Sequence, residues 1–109
     1  MKKLLLSLVL VVLLASSAFA SLPSVTMLST TTCPACTQME KVLKQVDSKK
    51  ITTSHIFLEE NPDIARKYNV RYVPTLIFRD SEGNEVAQKV GYMSLKDLLN
   101  VFKSAGVKI

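Results

Sequence analysis

Hydrophobic and polar positions follow two different periods between residues 25 and 106, and the changes of period divide this part of the chain into seven elements. Apolar and β-branched runs bounded by polar clusters predict four strands, over Val25 to Leu28, Ile51 to Glu59, Thr75 to Arg79 and Glu85 to Val90. Apolar residues at helical spacing predict three helices, which begin near Pro34, Pro62 and Ser94. The order β-α-β-α-β-β-α predicts an α/β fold with a mixed four-stranded sheet and helices on both faces.

Two of the predicted helices carry an apolar stripe that would face a core. The stripe residues are Met39, Val42, Leu43 and Val46 in the first helix, and Leu95, Leu98, Leu99 and Phe102 in the last. Asn61-Pro62-Asp63 is expected to cap the short middle helix, and Gly106 to end the last one. The apolar run Ile56-Phe57-Leu58 predicts that the second strand is covered on both faces, in the centre of the sheet.

The first twenty residues have the pattern of a secretory signal peptide. Met1-Lys2-Lys3 is positively charged, the run from Leu4 to Leu14 is apolar except for Ser7, and Ala18-Phe19-Ala20 is a small-residue cleavage signal. We therefore expect an exported protein, periplasmic or extracytoplasmic, that is cleaved after Ala20 and forms one domain over residues 21–109. The alternative is an uncleaved N-terminal anchor, although the apolar run is shorter than the ~20 residues that span a bilayer.

The charge of the chain does not indicate nucleic-acid binding. The formal net charge is +5, but two of the lysines, Lys2 and Lys3, belong to the predicted signal peptide. Residues 21–109 carry 12 basic and 9 acidic residues. The lysines are scattered and do not form the aromatic-interleaved stripe typical of nucleic-acid binding. We expect a weakly basic, solvated surface and no nucleic-acid partner.

The only two cysteines of the chain stand three residues apart in Thr32-Cys33-Pro34-Ala35-Cys36, at the start of the first predicted helix. A bridge over so short a loop would stabilise the fold by about 2 kcal/mol before strain is subtracted, so a structural staple is a poor explanation. A thiol at a helix N-terminus is stabilised as the reactive thiolate. The spacing therefore indicates a dithiol that exchanges with other disulfides, in a compartment where disulfides persist.

Four landmarks in order make the chain resemble the thioredoxin superfamily over Val25 to Gly106. They are the Cys33-Pro34-Ala35-Cys36 helix start, Asn61-Pro62 before a short helix that ends in Lys67-Tyr68-Asn69-Val70-Arg71, Val73-Pro74-Thr75, and Gly91. The N-terminal strand and helix of full-length thioredoxins are missing. The resemblance therefore implies a reduced form of the thioredoxin-like fold.

The resemblance also implies roles for individual residues. Cys33 would be the exposed attacking thiol, and Cys36 the resolving thiol that cleaves the mixed disulfide. Val73 would pair through its backbone with an extended substrate segment, next to a cis Pro74 whose ring lies close to the sulfurs. Further residues expected along the substrate groove are Thr32, Pro34, Ala35, Tyr72 and Tyr92. The two tyrosines are equally well explained as ordinary surface aromatics.

Two positions depart from the thioredoxin pattern. That family usually has a buried Asp six residues before the first cysteine, paired with a Lys on the next strand, and this chain has Met27 and His55 there. His55, the only histidine, is a candidate to take or relay the proton of the resolving thiol, because histidine titrates near neutral pH. The alternative is a half-exposed strand residue without a catalytic role. Met27 is expected to pack in the core.

These observations predict an exported thiol–disulfide oxidoreductase that exchanges disulfides with protein substrates and acts more as a reductant than as an oxidant. A membrane-embedded redox partner, a monomeric state and the absence of cofactor and metal are also expected. The Pro34-Ala35 dipeptide does not itself decide the direction of electron transfer. The main alternative is an extracytoplasmic copper carrier, because two thiolates at this spacing suit Cu(I). A non-catalytic binding module and a glutathione-dependent, glutaredoxin-like enzyme are further alternatives.

Overall fold

The computed structural model describes residues 22–47 and 49–109, which form four strands and three helices. In chain order these are β1 Ser24–Ser29, α1 Pro34–Asp47, β2 Thr52–Phe57, α2 Pro62–Lys67, β3 Thr75–Arg79, β4 Glu85–Val90 and α3 Leu95–Ser104. The predicted signal peptide lies outside the described residues. Within residues 22–47 and 49–109, no helix has the length and apolar character needed to cross a membrane.

The four strands form one mixed sheet in the order β2-β1-β3-β4. β1 runs parallel to β2 and antiparallel to β3, and β3 forms an antiparallel hairpin with β4. The predicted fold class, element order and mixed four-stranded sheet are therefore confirmed.

The prediction that the second strand is central was wrong, because β2 lies at an edge of the described sheet. Ile56 and Phe57 are only partly buried, whereas the central strands β1 and β3 carry the fully buried residues Leu28 and Ile77. Exposed and partly buried positions alternate along the first part of β2, as expected for a strand with one solvated face. A three-residue apolar run at the end of a strand does not determine which strands pair beside it.

The main core lies between one face of the sheet and the helices α1 and α3. Val25 and Met27 of β1 and Phe78 of β3 pack there against the buried stripe of α1. Phe102 of α3 meets Phe78 edge to face, with the ring centroids 5.2 Å apart. Met27 is fully buried, as expected from its position before the cysteines.

The opposite face of the sheet is covered through α2. Arg79 of β3 donates one hydrogen bond to Thr26 Oγ1 at 3.2 Å and another to the Tyr68 hydroxyl at 2.5 Å. Tyr68 directly follows α2, so this guanidinium connects the short helix to the sheet. The expected placement of helices on both faces is confirmed.

Both ends of α3 follow capping rules, whereas the predicted cap of α2 does not form. Ser94 accepts a hydrogen bond from the Asp97 N–H at the start of α3. Gly106 ends that helix with a positive φ of 78°. Asn61, predicted as a cap, makes no side-chain capping bond to α2, because its amide donates to the Phe57 carbonyl instead.

Candidate functional site

The two cysteines lie where β1 passes into α1. β1 ends at Ser29, and Cys33 directly precedes the first helical residue, Pro34. The carbonyl of Cys33 accepts the backbone N–H of Thr37 at 3.2 Å, which is the first bond of the helix. Pro34 has no N–H to leave unpaired in this first turn. The sequence thus places both sulfurs at the N-terminus of a 14-residue helix.

Cys33 and Cys36 are joined in a disulfide, with their Cα atoms 5.2 Å apart. Cys33 is partly exposed, whereas Cys36 is 4% exposed and belongs to the core cluster. The Cys36 N–H points to Cys33 Sγ at 3.1 Å. In the reduced protein an N–H in this position stabilises negative charge on the Cys33 sulfur, as does the positive end of the helix dipole.

The loop that contains Val73 and Pro74 meets the cysteine loop, residues 30–33 between β1 and α1, at the same end of the sheet. In the antiparallel register of β1 and β3, Thr75 lies opposite Leu28, so the Val73–Pro74 segment enters β3 where β1 ends. The Val73–Pro74 peptide bond is cis, and Pro74 is buried. Val73 and Cys33 both pack against the main core.

The backbone of Val73 is open to a further partner. The Tyr72 carbonyl accepts the Thr75 hydroxyl at 2.7 Å, and the Pro74 carbonyl accepts the Gly91 N–H at 2.8 Å. Val73 lies between these two residues, and its N–H and C=O groups have no hydrogen-bond partner among the described residues. An extended peptide laid against this segment would find one donor and one acceptor.

Exposed apolar side chains flank this open backbone. Tyr72 is 72% exposed, and Tyr92 follows the Gly91 that binds the Pro74 carbonyl and is 54% exposed. Val90, at the end of β4, is 59% exposed and is a candidate groove residue that was not predicted from the sequence. Thr32 and Pro34 are exposed and Ala35 is partly buried. The predicted groove residues therefore lie in two loops and a helix start that meet at one end of the sheet.

Glu59 fastens the cysteine loop to the end of β2, a contact that the sequence analysis missed. Its carboxylate accepts the Thr31 N–H at 2.9 Å and the Thr31 hydroxyl at 2.5 Å. These hydrogen bonds lower the pKa of Glu59, and the bond from the Thr31 hydroxyl has the largest effect. The signal that could have revealed this contact is the parallel pairing of β1 and β2, because the carboxyl ends of both strands lie at the same end of the sheet.

His55 of β2 lies opposite Met27 of β1 and is the middle residue of a three-residue hydrogen-bond network. Its Nδ1 is 2.9 Å from Glu40 Oε1 of α1, and its Nε2 is hydrogen-bonded to the Ser29 hydroxyl. Among the described residues neither cysteine is a direct polar partner of His55. The part of the chain that the structure describes also contains no group of three or more potential metal ligands among its His, Cys, Asp and Glu residues.

A family model described as a thioredoxin-like domain matches residues 17–106. The chain belongs to this thioredoxin-like family. It is 40% identical over 68 residues to a thioredoxin from Buchnera aphidicola subsp. Baizongia pistaciae (strain Bp), covering 59% of this chain and 60% of that protein. It is 38% identical over 63 residues to a thioredoxin from Rhodospirillum rubrum, covering 54% of this chain and 59% of that protein. The chain thus spans about three fifths of the length of these curated relatives.

Solved structures share the fold. The solution structure of a thioredoxin-like protein from Clostridium perfringens is 34% identical, with a TM-score of 0.70 over 86% of this chain and 79% of that one. A structure described as that of a malarial protein is 26% identical, with a TM-score of 0.71 over 80% of this chain and 100% of that one. The resemblance to the thioredoxin superfamily drawn from the sequence is confirmed.

Proposed function

We propose that the protein is an exported thiol–disulfide oxidoreductase that reduces disulfides of protein substrates through the Cys33/Cys36 couple. The observation that carries this proposal is the unequal pair of sulfurs at one helix N-terminus. Cys33 is partly exposed and receives an N–H bond, and Cys36 is buried one turn further along. This arrangement suits attack by Cys33 and later resolution by Cys36.

The reaction begins when the Cys33 thiolate attacks a substrate disulfide. A bond forms between Cys33 and one substrate sulfur, and the other substrate sulfur leaves as a thiolate. Cys36 then attacks Cys33, which closes the Cys33–Cys36 disulfide and releases the second substrate thiolate. Two electrons have passed from the protein to the substrate, and a membrane-embedded redox partner would return them.

The substrate would be held as an extended segment along Val73. Its backbone would pair with the N–H and C=O of Val73, which have no hydrogen-bond partner among the described residues, and such main-chain pairing would accept different substrate sequences. Apolar side chains of the substrate would contact Tyr72, Val90 and Tyr92, whose exposure favours such contacts. Protein disulfides in flexible segments are the substrate class that fits this open surface.

A reducing direction is supported by the relatives, because the curated proteins at 40% and 38% identity are thioredoxins. The dipeptide Pro34-Ala35 between the cysteines does not itself decide the direction. Export is supported by the signal-peptide pattern of residues 1–20 alone.

Trapping of the mixed disulfide tests the proposal. In a Cys36→Ser variant the bond between Cys33 and a substrate sulfur cannot be resolved, so reduced variant mixed with insulin as a disulfide-bonded probe should accumulate a covalent adduct. The adduct would be seen on a non-reducing gel and would disappear with dithiothreitol. Cys33→Ser is the matched control, and its buried Cys36 should give no adduct.

Absence of an adduct with the Cys36→Ser variant would contradict the proposal. If the protein were a copper carrier, the opposite results would be expected. The parent would bind Cu(I) in a one-to-one ratio, the Cys33→Ser variant would not bind it, and no disulfide exchange with insulin would occur. The same three proteins therefore distinguish the two functions.

A further inference from the structure

The single histidine joins three elements through both nitrogens of its ring. His55 of β2 meets the Glu40 carboxylate of α1 through Nδ1, at 2.9 Å, and the Ser29 hydroxyl at the end of β1 through Nε2. A carboxylate can only accept, so in the neutral ring Nδ1 carries the hydrogen and Nε2 accepts the Ser29 O–H. The hydrogen bonds therefore run in one direction, from Ser29 to His55 to Glu40.

The Glu40 end of this network lies on the same face of α1 as the resolving cysteine. Cys36 and Glu40 are four residues apart, so they occupy one face of the helix on successive turns. Ser29 is fully buried and Cys36 is 4% exposed. Both belong to the junction of β1 and α1, on the side of the sheet where Val25 and Met27 face the helix.

The chemistry of resolution needs a proton acceptor at this junction. Burial in apolar surroundings favours the protonated thiol of Cys36, which is not nucleophilic. Met27, fully buried in the same core cluster, has no group that takes a proton. The Ser29–His55–Glu40 network is a hydrogen-bonded system that leads from the buried end of β1 to solvent, because the His55 side chain is 24% exposed and that of Glu40 is 43% exposed.

We propose that Ser29, His55 and Glu40 form a proton relay for Cys36, a role that rests on the disulfide exchange proposed above. In the resolution step the Cys36 S–H bond breaks, its sulfur bonds to Cys33, and the bond between Cys33 and the substrate breaks. In the disulfide form the Ser29 hydroxyl is hydrogen-bonded to His55 and not to Cys36; in the relay the proton of the reduced Cys36 passes to the Ser29 oxygen while the Ser29 hydroxyl proton passes to Nε2 of His55. Glu40 is a positioning residue that orients the ring and stabilises the imidazolium.

The relayed proton leaves through a groove between α1 and β2. Besides Glu40 and His55, the charged groups along this groove are Lys44 and Asp47. The groove has a volume of about 270 Å³, which leaves water access to the ring. Transfer from the imidazolium to water restores the relay for the next turnover.

The two chemical steps can be measured separately with one equivalent of dithiobis(nitrobenzoate), an aromatic disulfide. Attack by Cys33 on the reagent releases one coloured thiolate, and resolution by Cys36 releases the second. We expect His55→Ala and Ser29→Ala to slow the second release about tenfold or more, the lower range for loss of a proton-transfer group. Glu40→Gln should slow it less, and the first release should not change in any of them.

Asp47→Asn is the matched control, because it removes a carboxylate from the same helix and groove without touching the network. It should leave both releases unchanged. Added imidazole should restore the second release in His55→Ala, by entering the space left at the groove, but not in Ser29→Ala. A residue that only holds the fold together would not give this rescue.

An unchanged second release in His55→Ala, or a slow one that imidazole does not restore, overturns the relay. If His55→Ala does not fold, Ser29→Ala decides alone, since it is nearly isosteric, and an unchanged second release there overturns the relay. Loss of the first release in the parent would instead refute the proposed function, so the two failures are distinguishable.

Discussion

At the scale of single residues, the two sulfurs have the same chemistry but different surroundings. Cys33 is partly exposed and lies beside a backbone N–H, whereas Cys36 is packed in the core. The difference follows from their places at the helix, because Cys33 precedes the first helical residue whereas Cys36 is one of the buried residues of α1. The order of attack and resolution in the proposed reaction depends on this difference.

The contact between Glu59 and Thr31 predicts a stability that depends on pH in the acid range. Because the pKa of Glu59 is lowered, the two bonds from Thr31 stabilise the fold at pH values above 4.5, the ordinary pKa of a glutamate carboxyl. This contribution is lost as the pH falls through the lower pKa that Glu59 has in the folded protein. We therefore expect the urea midpoint of the parent to fall between about pH 5 and pH 3 by more than that of Glu59→Gln.

Glu60→Gln is the control for this measurement, because Glu60 is the adjacent exposed carboxyl. Its urea midpoint should follow that of the parent throughout the acid range. Parallel curves for the parent and Glu59→Gln would show that the Thr31 contact contributes nothing to acid stability. The expected difference is small because Glu59 is exposed.

The helix start at Pro34 could be predicted from the sequence because its determinants are local. Cys33, Pro34 and Cys36 lie within four residues, and a proline that follows a polar cluster is typical of a first helical turn. Glu59 and Glu40 were missed because their partners belong to other elements. Thr31 is 28 residues from Glu59 in the sequence, and only the pairing of β1 with β2 brings them together.

At the scale of elements, local pattern predicted the helices and strands but not the lateral order of the strands. β3 and β4 have the predicted bounds, and α1 begins at Pro34 as predicted. The position of β2 at the edge was not predictable from its apolar run, since strand order is set by pairing between distant segments. Asn61 likewise had the right residue type for a cap and a different hydrogen-bond partner.

The end of α3 offers a test of backbone conformation without a packing effect. Gly106 has φ of 78°, and a Cβ added there would meet no atom within 4 Å. Gly106→Ala should therefore destabilise the fold by about 1 kcal/mol through the left-handed backbone alone. Gly106→Asn should cost less, because Asn tolerates this conformation, as Asn69 does with φ of 52° after α2.

The free energies of unfolding of the three proteins, from urea titrations followed by circular dichroism, check this prediction. The C-terminal bonds of α3, from Gly106 N–H to Lys103 and from Val107 N–H to Phe102, should persist in all three. Equal stability of the glycine, alanine and asparagine forms would mean that the helix ends in a different conformation.

At the scale of the whole molecule, one end of the sheet gathers the features that the proposed function requires. The cysteine loop, the Val73 backbone and the exposed side chains of Tyr72 and Tyr92 come from three connections between different elements. Their meeting follows from the antiparallel register of β1 with β3 and of β3 with β4. The rest of the described fold supports this end by a core on one face and the Arg79 contacts on the other.

The proposed function requires that Cys33 and Cys36 form a reversible, reducing two-electron couple. The reduction potential of the purified protein, equilibrated against dithiothreitol and glutathione buffers and read from the fraction of free thiols, tests this requirement. We predict a single two-electron transition near the thioredoxin value of about −270 mV. A transition near about −120 mV, the range of strong oxidants, or no reversible transition at all, would contradict the account.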